Sequence, residues 1–342
     1  PSIVSCIAFS AIAIPSTAQL PRIVVDGITA PQVFTDLNEA ILAAPENSNI
    51  TLSGGSFHVP GGFALDKTLH FVGAGIHTDS TNATGATIFT ASGYDLFALT
   101  SGASGSSFTG IWFNEGNVTF SLGTGPGDQV VTGVDFLRCM FQKEVRLGIE
   151  EPSNSSSAFT ECIFHGVLRG SGGTSVVNRC IFDLTPSTGG SIVTFRPSGL
   201  SLLNSIVLGG KTDFCQNATI SNCVFTGSNP PIWQSNYTTV SNCIFSASQV
   251  FSNSSDTVSI GNIVGQSPTT IFVNEVDGFY QFTDDVHLAG GNQNGIGLYG
   301  NSPQYKPGAV PHVPHFRQVE VAKGTEPNGE LLMNVKVAVQ PN

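Results

Sequence analysis

Val134-Asp-Phe-Leu-Arg-Cys139-Met-Phe141, Phe159-Thr-Glu-Cys162-Ile-Phe164, Val177-Asn-Arg-Cys180-Ile-Phe182, Ile220-Ser-Asn-Cys223-Val-Phe225 and Val240-Ser-Asn-Cys243-Ile-Phe245 are five copies of one pattern. It reads apolar, polar, turn residue, Cys, apolar, Phe. Degenerate copies begin at Phe108, Leu203 and Ile260, and place Gly110, Ser205 and Asn262 in the Cys position. Successive copies are 18 to 29 residues apart. Such a period, made of short β-branched and aromatic runs separated by Gly, Asn and Ser, predicts a β-solenoid. A propeller blade needs about 40 residues, and the helical half of a leucine-rich repeat is missing.

The two-residue period of a strand puts Cys223 and Phe225 on one face and Val224 on the other, so Cys and Phe are expected to point inward. Asn204, Asn222 and Asn242 precede the Cys position, where a sharp corner calls for left-handed backbone that Asn tolerates. The six cysteines from Cys139 to Cys243 are therefore expected as buried free thiols rather than disulfides. No His or Cys spacing suggests a metal site. A second column, Leu168, Phe195, Phe214, Trp233, Phe251 and Phe272, also reads as core.

Composition agrees with this picture. The 342 residues include 39 Gly and 24 Phe, only 11% are charged, and 13 Lys+Arg against 24 Asp+Glu give a net charge of −11. A chain this acidic is a poor nucleic-acid ligand. Residues 3–14 form an uncharged apolar run followed by Pro15-Ser16-Thr17-Ala18-Gln19, which reads as the end of a secretory signal over residues 1–19. No segment reaches transmembrane length, so a secreted or cell-surface protein is expected.

The chain resembles the right-handed parallel β-helix superfamily of pectate lyases, pectin methylesterases and polygalacturonases. Val33 to Pro45, followed by Ile50-Thr-Leu52 and Gly54-Gly55-Ser56-Phe57, looks like the opening of that fold, in which a short helix caps the first coil. Thr35 or Asp36 can cap this helix, Leu37, Ala40, Ile41 and Ala44 form its apolar stripe, and Pro45 stops it. The stretch from Asp285 to Gly300 is similar to the last coil of secreted bacterial β-helix proteins of unassigned function. The expected organisation is a cap over residues 20–46, a solenoid of about ten coils over 47–300, and a Pro-rich connector with a β-hairpin over 301–342.

The superfamily's site motifs are absent, apart from Asp284-Asp285 in the terminal coil, which reads as a surface turn. Basic residues are unevenly placed: seven of the 13 lie between Arg138 and Lys211, and none between 68 and 137 or between 212 and 305. Arg169 follows Leu168 and Arg196 follows Phe195, so both are expected on the outer face of one sheet, joined by Arg146. They are the candidate substrate-binding residues for an acidic polysaccharide, with Lys143, His165 and Lys211 as candidates for a base in β-elimination and Asp213 as a further catalytic candidate. Guanidinium groups so spaced repel unless carboxylates stand among them, a role open to Asp213, Glu150 or Glu151. Two readings follow: a module that binds or cleaves an extracellular polysaccharide, as a lyase or a glycoside hydrolase, or a non-catalytic surface scaffold. No cofactor is implied.

Overall fold

The computed structural model describes residues 21–338, except 28–29, 62, 77–84, 92–94, 121–129, 149–152, 185–189, 198, 228, 275–278, 284–294, 300–304, 307–314, 322–323 and 326–327. The apolar run 3–14, Asp284-Asp285 and Glu150-Glu151 thus lie outside the described residues.

The chain is a right-handed parallel β-helix with three long sheets. Sheet 1 stacks ten parallel strands from Ser48–Leu52 to Val258–Ile260; sheet 2 runs from Gly55–Val59 to Ile244–Phe245, and sheet 3 from Ala64–Leu65 to Phe251–Ser252. Each coil visits the sheets in order, and every strand pairs in parallel with its counterpart one coil away.

The inward positions are those the repeat assigns to Phe and Cys. Phe113, Phe141, Phe164 and Phe182 are register partners in sheet 2, and Phe71, Phe108, Phe136 and Phe159 in sheet 1. All are essentially fully buried. Their rings stack face to face along each column, as in Phe136–Phe159 at 5.0 Å and Phe164–Phe182 at 4.5 Å, and meet edge-on between columns. Stacking repeats at the rung spacing, so identical side chains at identical phase pack against one another along the core.

The six cysteines are buried and free. Each sits at a corner, where its Sγ–H is shared between a backbone carbonyl of the preceding coil and the carbonyl two residues before it, as for Cys162 with Phe136 at 3.4 Å and Thr160 at 3.5 Å. In return, Cys180 Sγ accepts the N–H of Cys162, and Cys243 Sγ that of Cys223. Ser205 and Asn262 do the same in their copies, accepting from Cys180 at 3.0 Å and Cys243 at 2.8 Å. The column thus pairs corner amides that the strand ladders leave over. In the first degenerate copy the register places Ile111, not Gly110, opposite Cys139; Gly110 aligns with the corner residue before it.

That corner residue has positive φ in every copy: Gly110, Arg138, Glu161, Arg179, Asn204, Asn222, Asn242 and Gly261 lie between 50° and 66°. Asparagine and glycine suit it, whereas Arg and Glu pay roughly 1–2 kcal/mol each for left-handed backbone. The three charged residues occupy consecutive rungs and form one network. Glu161, 1% exposed, accepts Arg138 Nε at 2.8 Å and bonds Arg179 Nη2.

At the N-terminal end the helix α1 (Leu37–Ala43) buries Leu37, Ala40 and Ile41, and Asp36 accepts the Glu39 N–H. Lys67 Nζ donates to the Ala44 carbonyl at 2.6 Å, closing the other end. An antiparallel pair, Ile23–Val25 and Gln32–Phe34, adds to the edge of Ser48–Leu52.

The outer face of sheet 2 is also apolar. Met140, Ile163, Ile181, Ile206, Val224 and Ile244 form a second cluster with α2 (Pro268–Ile271), Phe272, Ile296, Leu298 and Tyr305. The Gly297 N–H donates to the Asn222 carbonyl, fixing this strap along the side of the solenoid. The segment likened to a closing coil therefore has Ile296 and Leu298 lying across the stack. His315–Val321 and Met333–Ala338 form the expected antiparallel hairpin.

Candidate functional site

The outer face of sheet 3 gathers most of the residues singled out above. Val145, Leu168, Ile192, Thr212, Ile232 and Phe251 are register partners pointing inward. Two-residue alternation then turns Arg146, Arg169, Val193, Asp213, Trp233 and Ser252 outward in one line, one per coil.

This corrects two expectations. Arg196 does not extend the arginine line: Val193 takes that register position, and Arg196 lies in the turn beyond, its guanidinium 5.2 Å from the centre of the Phe214 ring. The second aromatic column is likewise not one column. Leu168 and Phe251 share the inward line, whereas Trp233 stands on the outer face and Phe214 is a partly buried corner residue with φ of 54°. Ile192 and Thr212 continue the line of Leu168, three residues before Phe195 and two before Phe214.

Arg146 and Arg169 are brought together, and the carboxylate between them is Glu144. Its Oε2 accepts Arg146 Nε at 2.9 Å, and its Oε1 accepts Arg169 Nε at 2.5 Å. Asp213 does not reach them; its Oδ2 is 3.8 Å from Lys211 Nζ. The position of Glu144, two residues before Arg146 and so on the same strand face, is the signal that sequence reasoning passed over.

Lys211, Asp213 and Trp233 make the second half of the strip. The Lys211 ammonium lies 4.4 Å from the centre of the Trp233 ring while facing Asp213. Asp213 Oδ1 is buried without a hydrogen-bond partner. Burial pushes the Asp213 carboxyl above its ordinary range, partly offset by Lys211 and the Phe214 N–H. Gly190 makes room: a Cβ there would come within 3.1 Å of Asp213 Cβ and 2.4 Å of Val193 Cγ1.

The four candidate catalytic groups are not assembled. Lys143, exposed, and His165 sit at the corner between sheets 2 and 3, where His165 Nδ1 lies 3.3 Å from the Asp183 carbonyl. Lys211 and Asp213 belong to a strand three rungs beyond Val145–Arg146, about 14 Å along the axis at the rung spacing. The same backbone separation divides Glu144 from Asp213. It exceeds the roughly 5–5.5 Å of a retaining and the roughly 6.5–9.5 Å of an inverting carboxylate pair.

A cleft of about 590 Å³ lies elsewhere, between α1 and residues 60–67, lined by Asn38, Ile41, Leu42, Phe63, Asp66 and Lys67. Its one cation, Lys67, is engaged in capping the helix. Among the described residues no three His, Cys, Asp or Glu side chains converge as a metal site, and no helix is long and apolar enough to cross a membrane.

No family model matches the chain, and no curated protein matches it. Among solved structures it is similar to the catalytic domain of a GH87 alpha-1,3-glucanase in complex with tetrasaccharides, at 12% identity and a TM-score of 0.27, covering 68% of this chain and 65% of that one. A second structure of such a domain, in complex with nigerose, aligns at 10% identity and a TM-score of 0.26, covering 68% and 64%. The chain thus spans under two thirds of the length of either. The fold assignment rests on the chain's own strand pairing.

Proposed function

We propose that this protein engages an extracellular polysaccharide through the outer face of sheet 3, and that it binds rather than cleaves. The carrying observation is Trp233: a partly exposed ring standing outward on a regular parallel sheet, with Lys211 over one of its faces and Asp213 beside it on the same preceding strand, in line with two arginines. Sugars present an apolar C–H face to such a ring and hydroxyls to the charged groups around it. The rung spacing of about 4.8 Å lets a chain running along the solenoid meet one outward residue per coil. Binding is favoured over hydrolysis by the wide separation of Glu144 and Asp213, and over elimination because Arg146 and Arg169 already share a carboxylate.

Purified protein tested against neutral and uronate-containing polysaccharides, by affinity electrophoresis alongside assays for reducing ends and unsaturated products, decides the matter. Binding without product, lost in Trp233→Ala and weakened in Arg169→Ala with the circular dichroism unchanged, is expected. Product formation overturns the binding-only reading. One observation favours the scaffold reading, namely that Glu144 already engages both arginines internally; its outcome is no binding anywhere in the panel.

A further inference from the structure

The two ends of the solenoid are finished differently. At the first rung of sheet 1, an antiparallel strand pair covers the edge of Ser48–Leu52, and α1 packs against that pair. At the last rung, Val258–Ile260 closes the strand order, and no described strand pairs with its far side. The Val258 N–H donates back to Thr238 and the Ile260 carbonyl accepts from Asn242, so the alternation of a parallel ladder turns the Ser259 N–H and carbonyl to the open side. Val258 is 45% exposed and Ile260 57%. Ser259, in register with the buried Val240, is exposed as well.

Exposed edges are normally blunted by charge, Pro or a bulge. This one is not: from Gln249 to Gln266 the sequence holds a single charged residue, Asp256, and no Pro. A chain carrying −11 repels its own copies, and the repulsion is weakest where the meeting surfaces are nearly uncharged. An edge strand presented to its own copy about a two-fold axis pairs antiparallel and is self-complementary. We infer that the C-terminal rung is a self-association surface, on which two copies join end to end through antiparallel pairing of Val258–Ile260 centred on Ser259.

Light scattering on the full chain over a hundredfold concentration range tests this. The expected mass rises towards twice the 35.7 kDa of the chain, and Val258→Lys/Ile260→Lys holds it at the single-chain value with an unchanged melting curve. In Ser259→Cys the two new thiols face each other across the axis, so mild oxidation gives a covalent dimer on a non-reducing gel. A chain that stays single at every concentration, a dimer that survives the double lysine variant, or a Ser259→Cys protein that does not cross-link overturns the inference. The first of these outcomes includes the case in which the chain's own C-terminal hairpin covers the rung.

Discussion

Glu144 Oε1 accepts Arg169 Nε from the next coil at 2.5 Å while its Oε2 holds Arg146, so one carboxylate serves two cations on adjacent rungs. The arginines are 36% and 40% exposed, and solvent limits what such pairs contribute to stability to about 1 kcal/mol or less. Glu144→Gln therefore melts within a few degrees of the parent. It also leaves two guanidinium groups without their carboxylate on the proposed contact face. Binding of a uronate-containing polysaccharide strengthens by about tenfold, one charge-assisted contact, and falls back as salt rises. Equal affinity in parent and variant removes the arginine pair from the contact surface.

Asp213 gives a pH signature. Its folded pKa lies above the ordinary value of 3.8 through burial. It opposes folding little while protonated in both states, and costs stability as pH rises through and beyond 3.8. Asp213→Asn removes that cost. The melting temperature of the variant relative to the parent should thus be more favourable near pH 7 than near pH 3. A flat difference across this range shows that Lys211 compensates the buried carboxylate, and one of opposite sign that it more than compensates.

The thiol column makes a chemical prediction. Burial holds Cys139, Cys162 and Cys223 well above the usual thiol range, and Cys215 at about 12. Since the thiolate is the nucleophile, these groups should not react with a disulfide reagent near pH 8 until the chain opens. All six cysteines from Cys139 to Cys243 should react in denaturant, and the native rate should follow unfolding. Rapid labelling of any of them in the native protein contradicts their placement.

Much of this architecture was legible in the sequence because a solenoid repeats its chemistry at constant phase. The Cys and Phe columns, the cap with its Leu37, Ala40, Ile41 and Ala44 stripe, and the C-terminal hairpin all follow from local pattern. What escaped was whatever depends on register. Ile192 and Val193 continue the lines of Leu168 and Arg169, and Phe195 and Arg196 lie three residues beyond them. The strap over sheet 2 had a signal: the residue between Cys and Phe is Met140, Ile163, Ile181, Val224 or Ile244, apolar in every copy. A strand apolar on both faces is covered on both. Glu144 was harder to find, because its pairing with Arg169 links neighbouring coils 25 residues apart.

The corner network of Arg138, Glu161 and Arg179 bears on stability, since it places charged residues where the copies above and below use Asn or Gly. Glu161 is almost wholly buried between two cations. Removing its charge alone leaves both arginines without their shared carboxylate, and Glu161→Gln should cost about 3–5 kcal/mol in denaturant unfolding. Replacing the whole network behaves differently. The triple variant Arg138→Asn/Glu161→Asn/Arg179→Asn extends the asparagine corners of the later coils, relieves left-handed strain at three positions and leaves no buried charge behind. It should be at least as stable as the parent, despite carrying three substitutions to the single variant's one. A triple variant less stable than Glu161→Gln would mean that the ion network itself, rather than the corner geometry, holds these coils in register.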